Sequence, residues 1–77
     1  MSIEEFVEKF AEQFDDTDVA EFKADTKFHN LDEWSSLIAL NIIAMVDDEY
    51  DVTLKGADIE GAATIEDLFK VVSSRKA

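Results

Sequence analysis

Apolar residues recur at helical spacing from the start of the chain. Ile3, Phe6, Val7, Phe10, Ala11 and Phe14 fall on one face, while Glu4, Glu8, Lys9 and Glu12 occupy the other, which predicts a helix over 2–14. Ser2 with Glu5 has the form of a capping box, and Met1 with Phe6 that of the staple around it. A second helix is predicted over 36–51, crowded with Leu37, Ile38, Leu40, Ile42, Ile43, Met45 and Val46. With Ile42, Ile43, Val46 and Tyr50 turned inward, Leu37, Ile38 and Leu40 fall partly off that face. Such residues form either a partner-binding surface or the second buried side of a central helix. Thr64 opens a last helix as N-cap, with Asp67 at the third position and Ile65, Leu68, Phe69 and Val72 on one face. Arg75 and Lys76 follow at its C-terminal end, where the dipole favours cations.

The connections differ in kind. Val52-Thr53-Leu54 reads as a short extended link, and 55–61, which holds both glycines, as one or two helical turns around Ile59. Residues 15–35 form a long irregular loop that Val19, Phe22, Phe28 and Leu31 can pin to a core, with a short helical turn over 19–23. The fold class expected is all-α: a small four-helix bundle, three longer helices and one short, with a long loop between helices 1 and 2.

Composition narrows the partners. Seventy-seven residues, 47% of them hydrophobic, suit one domain over 1–77, burying little more than ~60% of its unfolded surface. Seven basic against nineteen acidic side chains give 7 − 19 = −12. That charge repels phosphate backbones and anionic lipid, so neither nucleic acid nor membrane is an expected partner. Basic patches on other proteins are the natural counterpart, although acidity also serves solubility alone. Between Phe28 and Leu54 stand Asp32, Glu33, Asp47, Asp48, Glu49 and Asp51 with no Lys or Arg. The run Asp47-Asp48-Glu49 opposes the dipole at the second helix's C-terminus, so something besides helix stability favours those charges. With no signal segment and no long apolar run, the chain is expected to stay in the cytoplasm.

No active site of the chain's own emerges. Glu49, Asp51, Thr53 and Glu60 fit positions 1, 3, 5 and 12 of a calcium loop, but Leu54 stands where the sharp turn needs glycine. A hydrolase built on Ser36 and His29 lacks an orienting group and a nucleophile elbow. His29, the single histidine, has no cysteine or second imidazole to complete a metal set, and reads as a surface or loop-packing ring. There remain the serines in Asp32-Glu33-Trp34-Ser35-Ser36-Leu37. Alone, a serine there is a helix cap. It is also where a phosphate ester would meet free backbone N–H groups and the positive end of the dipole.

At these residues the chain resembles the acyl carrier protein family. Ser36-Leu37 matches the family's serine and leucine at the start of the second helix, with Ser35 where aspartate is expected. Asp47-Asp48-Glu49-Tyr50-Asp51-Val52 and Ala63-Thr64-Ile65-Glu66-Asp67-Leu68 extend the likeness, which covers essentially the whole chain. The resemblance implies that a phosphopantetheinyl transferase, using magnesium, moves the 4′-phosphopantetheine arm of coenzyme A onto Ser36. The arm's thiol then carries acyl groups as thioesters between enzymes of fatty acid, polyketide or related lipid biosynthesis, such as ketosynthases. Growing chains can shelter within the bundle, and the protein itself is a monomeric carrier, not an enzyme. An imported thiol also suits a chain without cysteine.

Two departures stand out. The family often has acids two and five positions after the serine, where this chain has Ile38 and Asn41. Partner binding is therefore expected at Leu37, Ile38, Leu40 and Asn41, with Asp47 and Asp48 steering. Trp34-Ser35 before the serine is unusual too, and both point to a specialised carrier. The alternative is an acidic helical protein–protein interaction module without a prosthetic group, in which Ser36 serves only as a cap.

Overall fold

The computed structural model describes residues 2–76. Four α-helices follow in order: α1 (Ile3–Ala11), α2 (Ser36–Tyr50), α3 (Gly56–Gly61) and α4 (Ile65–Arg75), with 3₁₀ turns at Val19–Glu21 and Phe28–Asn30 in the long loop. Among the described residues there is no strand, and the all-α bundle with one short helix is the architecture the periodicity predicts. No described helix is long and apolar enough to cross a membrane.

α1 is shorter than expected. Its α-helical turns stop at Ala11, and Gln13 and Phe14 continue as tighter turns, their amides bonding the carbonyls of Phe10 and Ala11. Phe14 is buried all the same, so the hydrophobic spacing outlasts the regular helix. Ser2 caps α1 by accepting from the Glu5 amide at 3.3 Å. The Met1–Phe6 staple lies outside the described residues.

The core is built on aromatics. Phe6, Phe10 and Phe28 are fully buried with Ile42, Val46, Ile65, Leu68 and Val72. Phe10 sits among four rings, its centroid 5.2 Å from Phe28, 5.7 Å from Phe14 and 6.3 Å from both Phe6 and Phe22. The Phe14 pair is stacked and the others are tilted or edge-on, at separations where such pairs add to area burial. Phe22 and Phe28 belong to the long loop, which is thereby pinned to the bundle. The loop also lends backbone acceptors to α4, since the Ile65 amide bonds the Thr26 carbonyl and the Glu66 amide the Ala24 carbonyl.

α2 ends on Asp51 in the left-handed conformation, φ 56° and ψ 39°, which Asp tolerates better than most side chains. The turn sends Val52 and Leu54 into the core. The basic tail stands at the C-terminal end of α4 as expected and also makes specific contacts. Arg75 donates twice to the Asp58 carboxylate, at 2.7 and 2.8 Å, and Lys76 Nζ donates to the Tyr50 carbonyl at 3.1 Å. The first pair clasps α3 to α4, and the second places a cation at the C-terminus of α2.

Candidate functional site

The approach to α2 is held by a carboxylate. Glu33 accepts hydrogen bonds from the amides of Asp15 and Asp16, at 2.7 and 3.0 Å, and from the Thr17 hydroxyl at 2.8 Å. Desolvation by burial alone would push its carboxyl up, but these donors together hold it below the usual carboxylate value. The beginning of the long loop is thus stapled to the residue just before Trp34. The Trp34 ring packs 4.9 Å from Phe28 and 5.1 Å from His29, which fixes the entry to α2.

The structure then separates the two serines. Ser35 is extended (φ −157°, ψ 170°) and its hydroxyl accepts from the Ile38 amide at 3.3 Å, so Ser35 is the N-cap. Ser36 is the first helical residue and exposed. Its hydroxyl has no hydrogen-bond partner among the described residues, and the amides of Ser36 and Leu37 precede the first intrahelical bond, made by Ala39 to the Ser35 carbonyl. The alternative in which Ser36 caps the helix is corrected by this geometry. α2 also has no acid in its first turn, whereas the first turns of α1, α3 and α4 carry Glu4 and Glu5, Asp58, and Glu66 and Asp67. In a chain of charge −12, the positive end of this one helix dipole is left without a carboxylate.

Beside Ser36 runs an open groove of about 410 Å³ between α2 and α3, with Trp34, Ala39, Ile43 and Ile59 among its lining residues. His29 stands at its edge. Its Nε2 lies 3.0 Å from the Ile59 carbonyl and 3.1 Å from that of Ala62. The loop-packing reading of this imidazole agrees with those contacts. Among the described residues no His, Cys, Asp or Glu group is arranged to hold a metal ion.

The outer stripe of α2 divides along its length. Leu37 and Leu40 are 66% and 62% exposed, and Asn41, Asp47 and Asp48 are exposed behind them. Ile38 does not join them: at 8% exposure it belongs to the core, and its expected place on the outer surface is corrected. Asp47 and Asp48 lie roughly 16–18 Å along the helix from Ser36 at 1.5 Å per residue. Neither has a salt-bridge partner among the described residues, while neighbouring Glu49 is paired with Lys9 of α1 at 2.7 Å. The hydrogen bond to Glu49 raises the Lys9 pKa above its ordinary value.

A family model described as a phosphopantetheine attachment site matches residues 4–72. No curated protein and no solved structure matches the chain.

Proposed function

The chain belongs to the phosphopantetheine attachment site family, and from that premise we propose that Ser36 is the residue that takes the arm. Carriers of this family bear 4′-phosphopantetheine and are not themselves catalysts. The observation that carries the assignment is an exposed hydroxyl, without a partner among the described residues, at an acid-free helix N-terminus. The residues present fit the group. The amides of Ser36 and Leu37 can receive phosphate oxygens, the adjoining groove offers apolar walls beside Ser36, and the neighbouring hydroxyl of Ser35 is already committed to the Ile38 amide.

In loading, the Ser36 hydroxyl gives up its proton to the transferase and its oxygen forms a bond to phosphorus. The phosphoanhydride of coenzyme A breaks and the nucleotide half leaves. The chain's own part is to present Ser36 and to accommodate the negative charge; no base of its own is required. Once attached, the arm supplies a thiol for thioester formation, chemistry that a chain without cysteine cannot offer.

The partners in this reading are a phosphopantetheinyl transferase and acyl-processing enzymes such as ketosynthases. They meet the single carrier domain as a monomer in the cytoplasm and pass acyl groups in fatty acid, polyketide or related lipid biosynthesis. Docking uses Leu37, Leu40 and Asn41 near the arm, with Asp47 and Asp48 engaging a basic patch further along.

Incubation with a transferase of broad specificity, magnesium and coenzyme A should add one phosphopantetheine mass to the wild type and none to Ser36→Ala. An unmodified wild type, or a label that peptide mapping places on Ser35, would overturn the assignment.

A further inference from the structure

The groove beside Ser36 has a fixed wall and a lightly held one. Ala39 and Ile43 belong to the fifteen-residue α2. Gly56, Ile59 and Glu60 belong to α3, which has six residues, too few for a helix to persist without tertiary support. Ile59 anchors α3 to the core by burial. At the start of α3 the Asp58 carboxylate is clasped by Arg75 of α4. At its end, the link to the wall that carries Ser36 is His29.

Both acceptors facing the His29 Nε2 are carbonyl oxygens, those of Ile59 and Ala62. A carbonyl cannot donate, so Nε2 carries the proton and shares it between the two. The Ile59 carbonyl lies in the last turn of α3 and Ala62 is its C-cap. The Ile59 carbonyl also accepts from the Ala62 amide at 3.3 Å, so the His29 Nε2 is its second donor. The same imidazole is 4.3 Å from the Phe28 ring and 5.1 Å from Trp34, centroid to centroid, and it lines the groove together with Ser36. One side chain therefore ties the C-terminal end of α3 to the loop that leads into α2.

We propose that His29 is a positioning residue that holds α3 as the second wall of the groove, and so sets how closely cargo attached at Ser36 is enclosed. The inference rests on the reading of Ser36 as attachment point only in its last clause. The holding of α3 stands on the hydrogen bonds alone.

Two substitutions divide the ring from the bond. His29→Gln keeps an N–H donor that can reach the α3 carbonyls but loses the ring. His29→Phe keeps a ring between Phe28 and Trp34 but has no donor. Hydrogen exchange on the unloaded full chain should show the amides of Glu60, Gly61 and Ala62 exchanging roughly fivefold faster in His29→Phe, the scale of one lost hydrogen bond. His29→Gln should stay close to the wild type, and α1 and α4 should exchange alike in all three proteins. Unchanged exchange in His29→Phe, equal loosening in both variants, or faster exchange spread over every helix would each overturn the proposal.

A second measurement reads the effect on cargo. With a medium-length acyl thioester loaded, cleavage by hydroxylamine should be several-fold faster for His29→Phe than for wild type and His29→Gln. Equal rates in all three would refute the role in enclosing cargo. If the wild type accepts no arm at Ser36, the attachment reading fails while the exchange pattern still decides whether His29 holds α3.

Discussion

The N-termini of α2 and α4 begin with the same device and finish differently. Both are capped by a hydroxyl that accepts from the amide three residues on: Ser35 from Ile38 at 3.3 Å and Thr64 from Asp67 at 3.2 Å. At α4 the box is completed. The Asp67 carboxylate accepts from the amides of Ala63 and Thr64, and the long loop supplies carbonyls to Ile65 and Glu66. α2 stops at the cap: no acid occupies its first turn, and the amides of Ser36 and Leu37 have no partner among the described residues. One helix start is closed by the protein itself, and the other is left open to an anion from outside. The dipole and the orphan donors are common to all helices, so the two starts differ only in what the chain itself supplies to them.

The contrast can be broken or sharpened by substitution. The largest effect is expected at Ser36→Ala, with complete loss of phosphopantetheine addition by mass and thermal stability unchanged within about 0.5 kcal/mol, since the hydroxyl supports nothing in the fold. Next comes Thr64→Ala, which should lower unfolding free energy in denaturant by about 1–2 kcal/mol, with the 24–26 segment exchanging faster because it hangs on the same turn. Ser35→Ala should cost about 1 kcal/mol by the same assay and leave the modification on Ser36, as mapped by mass spectrometry. A stability loss at Ser36→Ala equal to that at Ser35→Ala would contradict the division of roles between the two serines.

Smaller still is the effect of closing α2 artificially. Leu37→Glu places a carboxylate at the open dipole end and should stabilise the helix by about 0.3–1 kcal/mol, while loading by the transferase slows. The acid pH response marks the low end of the series. Hydrogen bonds from Arg75, then from the Lys55 amide, hold the Asp58 carboxyl at about 2 against an ordinary 3.8. A depressed folded-state value means that this contribution is present above about pH 4 and is lost as pH falls towards 2. Thermal unfolding of wild type and Asp58→Asn should therefore converge on acidification through that window. A constant difference would show that Asp58 gains nothing from its charge.

Helix order, the long loop and the α4 capping box could be read from the chain because each has a local, periodic signature. Thr64 and Asp67 stand three residues apart, and the apolar face of α1 repeats through Phe14. The phase of α2 could be read only in part: Ile42, Val46 and Tyr50 are buried as expected, but the edge of the buried face was not legible. Apolar residues surround it, so no single stripe tells where that face ends. Ile38 was therefore expected outside with Leu37 and Leu40, although it lies four residues before the buried Ile42 and shares its face. Telling Ser35 from Ser36 required backbone angles: two adjacent hydroxyls carry the same capping chemistry, and only the extended conformation of Ser35 marks the cap. The Glu33 staple, the His29 bonds and the Asp58–Arg75 clasp join residues 16 to 33 positions apart. Such pairings leave no periodic trace, and nothing in the acidic background singled out Glu33 or Asp58.

The chain has a single tryptophan, and its place gives the protein an optical property. Trp34 stands two residues before Ser36, packs tilted against Phe28 and edge-on to His29, and lines the groove. Ultraviolet excitation beyond the tyrosine band therefore reports from this one neighbourhood, with no competing indole elsewhere. Emission wavelength and quenching by added iodide or acrylamide can follow events at the groove in real time, without a dye and without altering a residue.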